Sequence, residues 1–300
     1  MLAGLEPAGK LCYYLLVRTR TARYLRRAGR SALTVRKRQM SVTYHEVTYY
    51  DHLPSKPLVE ALLEVKWGEA NRPDPAYPVI VGRLYEKLKD RYPAIEDLDL
   101  AQFPPGLAVQ VPRHRFRTAD HQWPLVQIGP GIAVLNDTEG YSWTDFRKRA
   151  LEFFPEVESA HPHPETLGVT SLKLEYIDAV EFDYRSDDIR AFLESKLHLE
   201  VRLPQELFDG QPLENRPAHL LAQFAFPTLE PRGRIQLMVS TGRKQDAPAV
   251  ILHTSVWSEG ADAKDGWGRL DEWLDGAHRF IRHWFFALVA GDLLEEFLKS

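Results

Sequence analysis

The position of one carboxylate, Asp178, is the strongest indication of chemistry in this sequence. Alternation of apolar and polar residues predicts a strand over Leu172–Phe182, and Asp178 falls on its apolar face. A carboxylate buried without a partner is costly or becomes protonated at a raised pKa. We therefore predict that Asp178, with Tyr176 on the same face, anchors a ligand or acts as a general base. The alternatives are a bulge that turns the carboxylate outward, or a structural pair with an arginine or a backbone amide.

A second candidate lies on the predicted C-terminal helix. His278 follows Asp275 by three residues and precedes Arg282 by four, so the three side chains share one side of the helix. Asp275 could orient the imidazole of His278 for acid–base work or ligand binding. The alternative is a surface histidine or one with satisfied hydrogen bonds. His283 is rotated by about 140° from His278, so these two histidines do not share a metal-binding face.

Three arginines form a candidate anion site. Arg113, Arg115 and Arg117 alternate on one face of a predicted strand, with His114 and Phe116 on the other. Guanidinium groups at this spacing could hold a phosphate or an acidic partner peptide. The alternative is that carboxylates of the same acidic chain neutralise them.

Other motifs for catalysis or metal binding are absent from the sequence or weak. It contains no Gly-x-Ser-x-Gly elbow, no phosphate-binding loop and no dinucleotide fingerprint. Asp51 with Glu64-Val-Lys66 faintly resembles a nuclease core, but alternation predicts that Glu64 and Lys66 lie on a solvated face. His161 and His163 are spaced as zinc ligands can be, yet they lie in a proline-rich linker without cysteine. We predict no metal and no cofactor.

The elements that must position these residues recur in the same order. Each half reads strand–helix–three strands–helix, and Trp143 and Trp267 each open a final helix. The predicted elements of the first half are a strand at 58–67, a helix at 78–91, strands at about 106–117, 123–128 and 132–136, and a helix at 143–154. Those of the second are a strand at 171–182, a helix at 187–198, strands at 218–226, 233–241 and 249–257, a helix at 267–290 and a last turn at 293–298.

This order predicts an α+β fold with two similar halves, 41–160 and 161–300. Each half would be a mostly antiparallel sheet backed by helices, and the halves would pair about a pseudo-two-fold. We expect Pro155, Pro162 and Pro164 to break regular structure in the connection between them. The candidate ligand cleft, anchored by Asp178, would lie between the halves.

Charge separates the first forty residues from the rest. The 300 residues carry 38 Lys and Arg against 42 Asp and Glu, but ten of those bases and one acid lie in residues 1–40. Three explanations of this basic segment are open. The start of the chain was assigned too early and Met40 is the true beginning, or the segment is a disordered tail, or it is a targeting segment.

The acidic remainder of the chain argues against nucleic-acid binding. No apolar run approaches the roughly 20 residues of a membrane span, and the single cysteine, Cys12, fits a cytoplasmic protein.

Several segments together resemble a sporadically distributed family of uncharacterised prokaryotic proteins. They are the opening Pro57–Lys66 (similar to Pro-Leu-Val-Glu, then Glu-Val-Arg), the strand segment Leu174–Asp178 (Tyr-Ile-Asn, with Asp here), and the C-terminal Leu274–His278 and Asp292–Phe297. The resemblance covers nearly all of the chain after the basic segment. It implies a cytoplasmic prokaryotic protein, and the family's patchy distribution suggests an accessory role such as defence or toxin neutralisation.

Three functions follow from these observations. The first is a non-catalytic module that binds a protein partner and neutralises a toxin encoded beside it. The second is a small-molecule sensor with Asp178, and the arginines at 113, 115 and 117, in a cleft between the halves. The third is an enzyme of unrecognised type that uses Asp178 and His278.

Overall fold

The computed structural model describes residues 47–99, 109–138 and 140–299. Within these residues the chain forms one sheet of nine strands. The strands are β1 (Leu58–Trp67), β2 (Ala94–Asp97), β3 (His114–Arg117), β4 (Leu125–Gly129), β5 (Ile132–Asp137), β6 (Val169–Glu181), β7 (Leu221–Leu229), β8 (Arg232–Lys244) and β9 (Ala247–Glu259). Their order across the sheet is β2-β3-β4-β5-β1-β6-β9-β8-β7, and every neighbouring pair is antiparallel.

Alternation along β1 sets which side of the sheet faces the core. Ala61, Leu63, Val65 and Trp67 are buried in the main hydrophobic cluster, while the residues between them face the opposite side. Leu63 lies directly opposite Leu174 of β6, so the pairing of β1 with β6 runs through the middle of the core. Because the side-chain period of a strand is two, this register also decides the face of every residue along β6.

Helices in the described residues cover one face of the sheet. They are α1 (Tyr77–Leu88), α2 (Trp143–Ala160), α3 (Ile189–Leu197), α4 (Leu270–Leu288) and α5 (Asp292–Leu298). The apolar sides of α1, α2 and α4 pack with β1 and β6 in the main cluster, and α3 and α5 pack on β8 and β9 in a second one. The hydroxyl of Ser142 accepts the backbone N–H of Asp145 at 3.3 Å, which caps the start of α2.

The α+β class is confirmed, while several details of the prediction were wrong. Helix α2 does not stop at Pro155 but continues to Ala160, because the buried Val157 and Ala160 gain core contacts that outweigh the lost hydrogen bond. Strand β2 was missed, since four residues with two acids show no apolar alternation. Strand β3 begins at His114, and residues 106–108 of the predicted strand at 106–117 lie outside the described residues. Instead of two sheets, the β1–β6 pair joins all nine strands into one.

None of the helices in the described ranges is both long and apolar enough to cross a bilayer. The predicted basic segment, 1–40, lies outside the described residues.

Candidate functional site

Asp178 lies on the helix-covered face of β6, between Leu58 of β1 and Leu252 of β9. It is 5% exposed, so the buried position that alternation predicted is observed. The register of β6 against β9 is continuous through Asp178, and the alternative of a bulge that turns the carboxylate outward was therefore wrong. The irregularity lies in β1, between Leu58 and Glu60.

The Asp178 carboxylate is buried without a partner among the described residues. No side-chain or backbone group in that part of the chain donates a hydrogen bond to it, and no cation offsets its charge. Burial alone raises the pKa of Asp178 from its ordinary value of 3.8 to about 7. The second alternative, a structural pair with an arginine or a backbone amide, is thus not observed there. A desolvated carboxylate of this kind gains most from a hydrogen-bond donor or a cation that enters from outside.

A network of two tyrosines, a histidine and a tryptophan begins at Tyr176, two residues from Asp178 on the same face of β6. The Tyr176 hydroxyl hydrogen-bonds to the Tyr141 hydroxyl and, at 2.7 Å, to Nδ1 of His278. The indole of Trp143 stacks on the His278 imidazole with the ring centroids 3.7 Å apart and the planes 5° from parallel. We call Tyr141, Trp143, Tyr176, Asp178 and His278 the Asp178 site.

The Asp178 site contains no compensating positive charge of its own. Burial, with a smaller contribution from Arg282, lowers the pKa of His278 to about 3, so the imidazole is neutral at neutral pH. Burial also raises the pKa of both tyrosines, and the Asp178 carboxylate adds to that effect. Near neutral pH the site therefore holds neutral phenols, a neutral imidazole and a carboxyl close to its midpoint of titration. Such a site can bind a donor or a cation, or exchange a proton at Asp178.

A second buried carboxylate, Asp137, lies close to the Asp178 site. Ala61 in β1 is opposite Asp137 of β5 on one side and Tyr176 of β6 on the other, which puts the three residues in one row across the sheet. Asp137 is 2% exposed and forms an ion pair with Arg149 of α2; burial raises its pKa despite that pair. The sequence contained a signal that we missed, because Asp137 continues the alternation of Ala133 and Leu135.

Asp275 has a different partner from the one predicted. Its two carboxylate oxygens accept hydrogen bonds from Nε and Nη2 of Arg147, at 2.6 and 2.9 Å. The partner that orients His278 is Tyr176. Asp275 instead ties α4 to α2 beside the Asp178 site, so its contribution there is to hold the two helices in place.

The three predicted arginines do not form an open cationic stripe. Arg115 and Arg117 both pair with Glu96 of the neighbouring strand β2, at 3.3 and 2.7 Å. Arg113 precedes β3, and its guanidinium lies 6.0 Å from the ring centroid of Tyr77. The structure does not bring these arginines to the Asp178 site, and the anion-binding role stays a prediction.

The residues that resembled a nuclease core are on opposite faces of the sheet. Glu64 faces away from the helices and pairs with Lys66, whereas Asp51 pairs with Arg282 of α4 at 2.7 Å. Glu64 is also 4% exposed, so the prediction of a solvated face was wrong at this position. Among the described residues, no group of three or more His, Cys, Asp or Glu side chains is placed to bind a metal ion.

A buried ion network lies on that same face, on β6 and β9. Glu175 contacts Lys173 and, at 3.1 Å, Nε2 of His253. Burial alone would raise the pKa of Glu175, but the two partners hold it at about 2. This carboxylate is thus compensated within the chain, in contrast to that of Asp178.

A scan against protein-family models and a search of the curated proteins return no match for this chain. The resemblance described above therefore stays a prediction, and the function is argued from the site.

Proposed function

We propose that the chain is a small-molecule-binding protein, a sensor whose ligand is held at the Asp178 site. The observation that carries the proposal is the buried Asp178 carboxylate, which has no donor or cation among the described residues. The ligand class is a small molecule that presents a hydrogen-bond donor or a positive charge to this oxygen pair. Aromatic rings of Trp143, Tyr141 and Tyr176 supply the flat apolar contacts that small-molecule sites use.

The composition of the Asp178 site supports a ligand between the two halves. Tyr141 and Trp143 come from the first half, whereas Tyr176, Asp178 and His278 come from the second. A ligand that contacts both sets of residues would stabilise the packing of α2 against α4. Ligand binding could in this way change the surface that these two helices form.

A thermal-shift screen of the full chain against a library of amines, amides and alcohols tests this function. We expect a subset of compounds to raise the unfolding midpoint, and Asp178→Asn to reduce their affinity by about tenfold or more, since a hydrogen bond to a charged group contributes about 1.5–3 kcal/mol. The matched control is Glu181→Gln, which removes an exposed carboxylate from the same strand. If every stabilising compound acts equally on the wild type and on Asp178→Asn, the site is not where the ligand binds.

We also infer that the two halves are an internal duplication about a pseudo-two-fold. The strand order β1-β5-β4-β3 in one half parallels β6-β9-β8-β7 in the other, and the first strands of both halves pair antiparallel in the centre. Trp143 at the start of α2 contacts His278 of α4. Trp267, before α4, lines a cavity with Leu151 and Pro155 of α2. These reciprocal placements support the inference.

A second candidate function, binding of a protein partner, is favoured by the edge strand β7. Its nine residues include no charged side chain, and the large apolar residues on it are exposed: Leu221, Phe224, Phe226 and Leu229, with Leu229 83% exposed. Natural edge strands usually carry charges or prolines that prevent pairing with another chain. β7 carries no charge, and its single proline, Pro227, lies near the C-terminal end of the strand. We propose that this edge accepts an extended, uncharged segment of a partner protein, such as a toxin encoded beside this gene.

A further inference from the structure

A cavity separate from the Asp178 site lies between α2 and the start of α4. Its volume is about 240 Å³, and its lining residues are Leu151, Pro155, Glu158, Trp267, Leu270 and Asp271. We call it the Trp267 cavity. A liquid water molecule occupies about 30 Å³, so this space can hold a small organic molecule of several heavy atoms.

The walls of the Trp267 cavity combine apolar surface with groups that attract cations. Leu151, Pro155 and Leu270 are apolar, and tryptophan is the side chain whose ring attracts a cation most strongly. Pro155 has no N–H, so the carbonyl of Leu151, one turn earlier in α2, lacks its usual helical donor. Leu151 is itself one of the residues that line the cavity.

The two carboxylates of the cavity, Glu158 and Asp271, form no ion pair with any described residue. Two arginines interact electrostatically with Asp271, but each makes its ion pair elsewhere: Arg147 with Asp275, and Arg269 with Glu272. The hydrogen bond to its own ion-pair partner is the main cause that raises the pKa of each arginine; burial lowers that pKa, and the charge of Asp271 adds a smaller rise. The carboxylates that line the cavity therefore give it an excess of negative charge.

From these contacts we propose that the Trp267 cavity binds a small organic ammonium ion. The alkyl part contacts Leu151, Pro155 and Leu270, and the ammonium group lies near Trp267, Glu158 and Asp271. This site is independent of Asp178, because its lining residues do not belong to the Asp178 site.

Butylammonium chloride is a suitable probe, and butan-1-ol is its neutral counterpart of similar size. Binding is followed in the full chain by the indole N–H resonance of Trp267, which Trp267→Phe identifies. We expect this resonance to shift saturably with butylammonium, and the alcohol to bind about tenfold more weakly or worse. Potassium chloride at equal ionic strength should leave the resonance unchanged.

Substitution of the two carboxylates separates specific binding from general attraction to an acidic protein. Glu158→Gln combined with Asp271→Asn should weaken butylammonium binding by about tenfold, whereas Asp262→Asn, an exposed carboxylate outside the cavity, should not. The proposal is overturned if butan-1-ol shifts the Trp267 resonance as strongly, if that resonance does not respond to butylammonium, or if the double variant binds as the wild type does.

Discussion

Asp178, which is buried, and His278, which is half-buried, belong to the same site and have opposite shifts of pKa. The folded protein holds a proton on Asp178 up to about pH 7, whereas the unfolded chain releases it near 3.8. Asp178 therefore contributes stability at low pH that is lost as the pH rises to about 7. His278 stays neutral in the folded protein down to about pH 3, whereas the unfolded chain binds its proton near 6.5. It therefore lowers the stability as the pH falls below 6.5.

Between about pH 4 and 6.5 these two effects oppose each other, and single substitutions should expose each one. Relative to the wild type, the unfolding free energy of Asp178→Asn should rise with pH by about 1.4 kcal/mol per unit, and that of His278→Gln should fall similarly. Urea unfolding at a series of pH values measures both slopes. Glu181→Gln, on the exposed end of β6, is the control. Parallel pH profiles for the wild type and both variants would show that neither group has a shifted pKa.

Contacts between helices α2 and α4 hold the residues of the Asp178 site together. The Arg147–Asp275 ion pair and the stacking of Trp143 on His278 both connect these two helices. Helix α4 is held close to the sheet at Gly276, where a Cβ would lie 2.7 Å from Cδ of Pro231, in the turn between β7 and β8. A proline ring is tied to the backbone, so this neighbour cannot move aside easily.

Two glycines in helix interiors should respond oppositely to alanine. Gly276→Ala should destabilise the protein by about 1–3 kcal/mol, because α4 must shift away from Pro231. Gly82→Ala in α1 should stabilise it by about 0.5–1 kcal/mol, since a Cβ there meets no atom within 4 Å. Chemical denaturation measures both changes. A Gly276→Ala protein as stable as Gly82→Ala would contradict the close approach of α4 to the turn.

The two ends of the sheet differ in a way that matters for the whole molecule. At one end β2 is four residues long and carries Glu96 and Asp97, so it offers little backbone for pairing. At the other end β7 has nine residues without charge. Since all described strands belong to the one sheet, these are its two edges, and β7 is the better surface for strand addition.

A charge placed on β7 should therefore prevent binding of a partner, whereas the same charge on β2 should not. Ala225→Lys introduces an ammonium group at an exposed position of β7, and Ile95→Lys does so at an exposed position of β2. Each variant is co-expressed with the proteins encoded next to the gene, and complexes are quantified by size-exclusion chromatography. We expect Ala225→Lys to weaken a complex by about tenfold or more. Equal binding by both variants would exclude β7 as the interface.

The sequence by itself determined the local structure and the class of fold. Alternation in β1 and β6 and helical periodicity in α4 predicted these elements because the period of side chains along a strand or helix is a local property of the backbone. The same period placed Asp178 on the buried face before any partner was known. Elements without clear periodicity, such as β2, and the continuation of α2 past Pro155 depended on contacts made elsewhere in the chain.

Only the tertiary structure decided which groups meet. Tyr141 hydrogen-bonds to Tyr176. Asp275, which was predicted to orient His278, accepts hydrogen bonds from Arg147 instead. Glu96 forms ion pairs with Arg115 and Arg117. These partners are far apart in the chain, and their proximity depends on strand order, on register and on the crossing of α2 with α4. The lack of a partner for Asp178 among the described residues is likewise a property of the assembled core, because it depends on which donors the packing brings near the carboxylate.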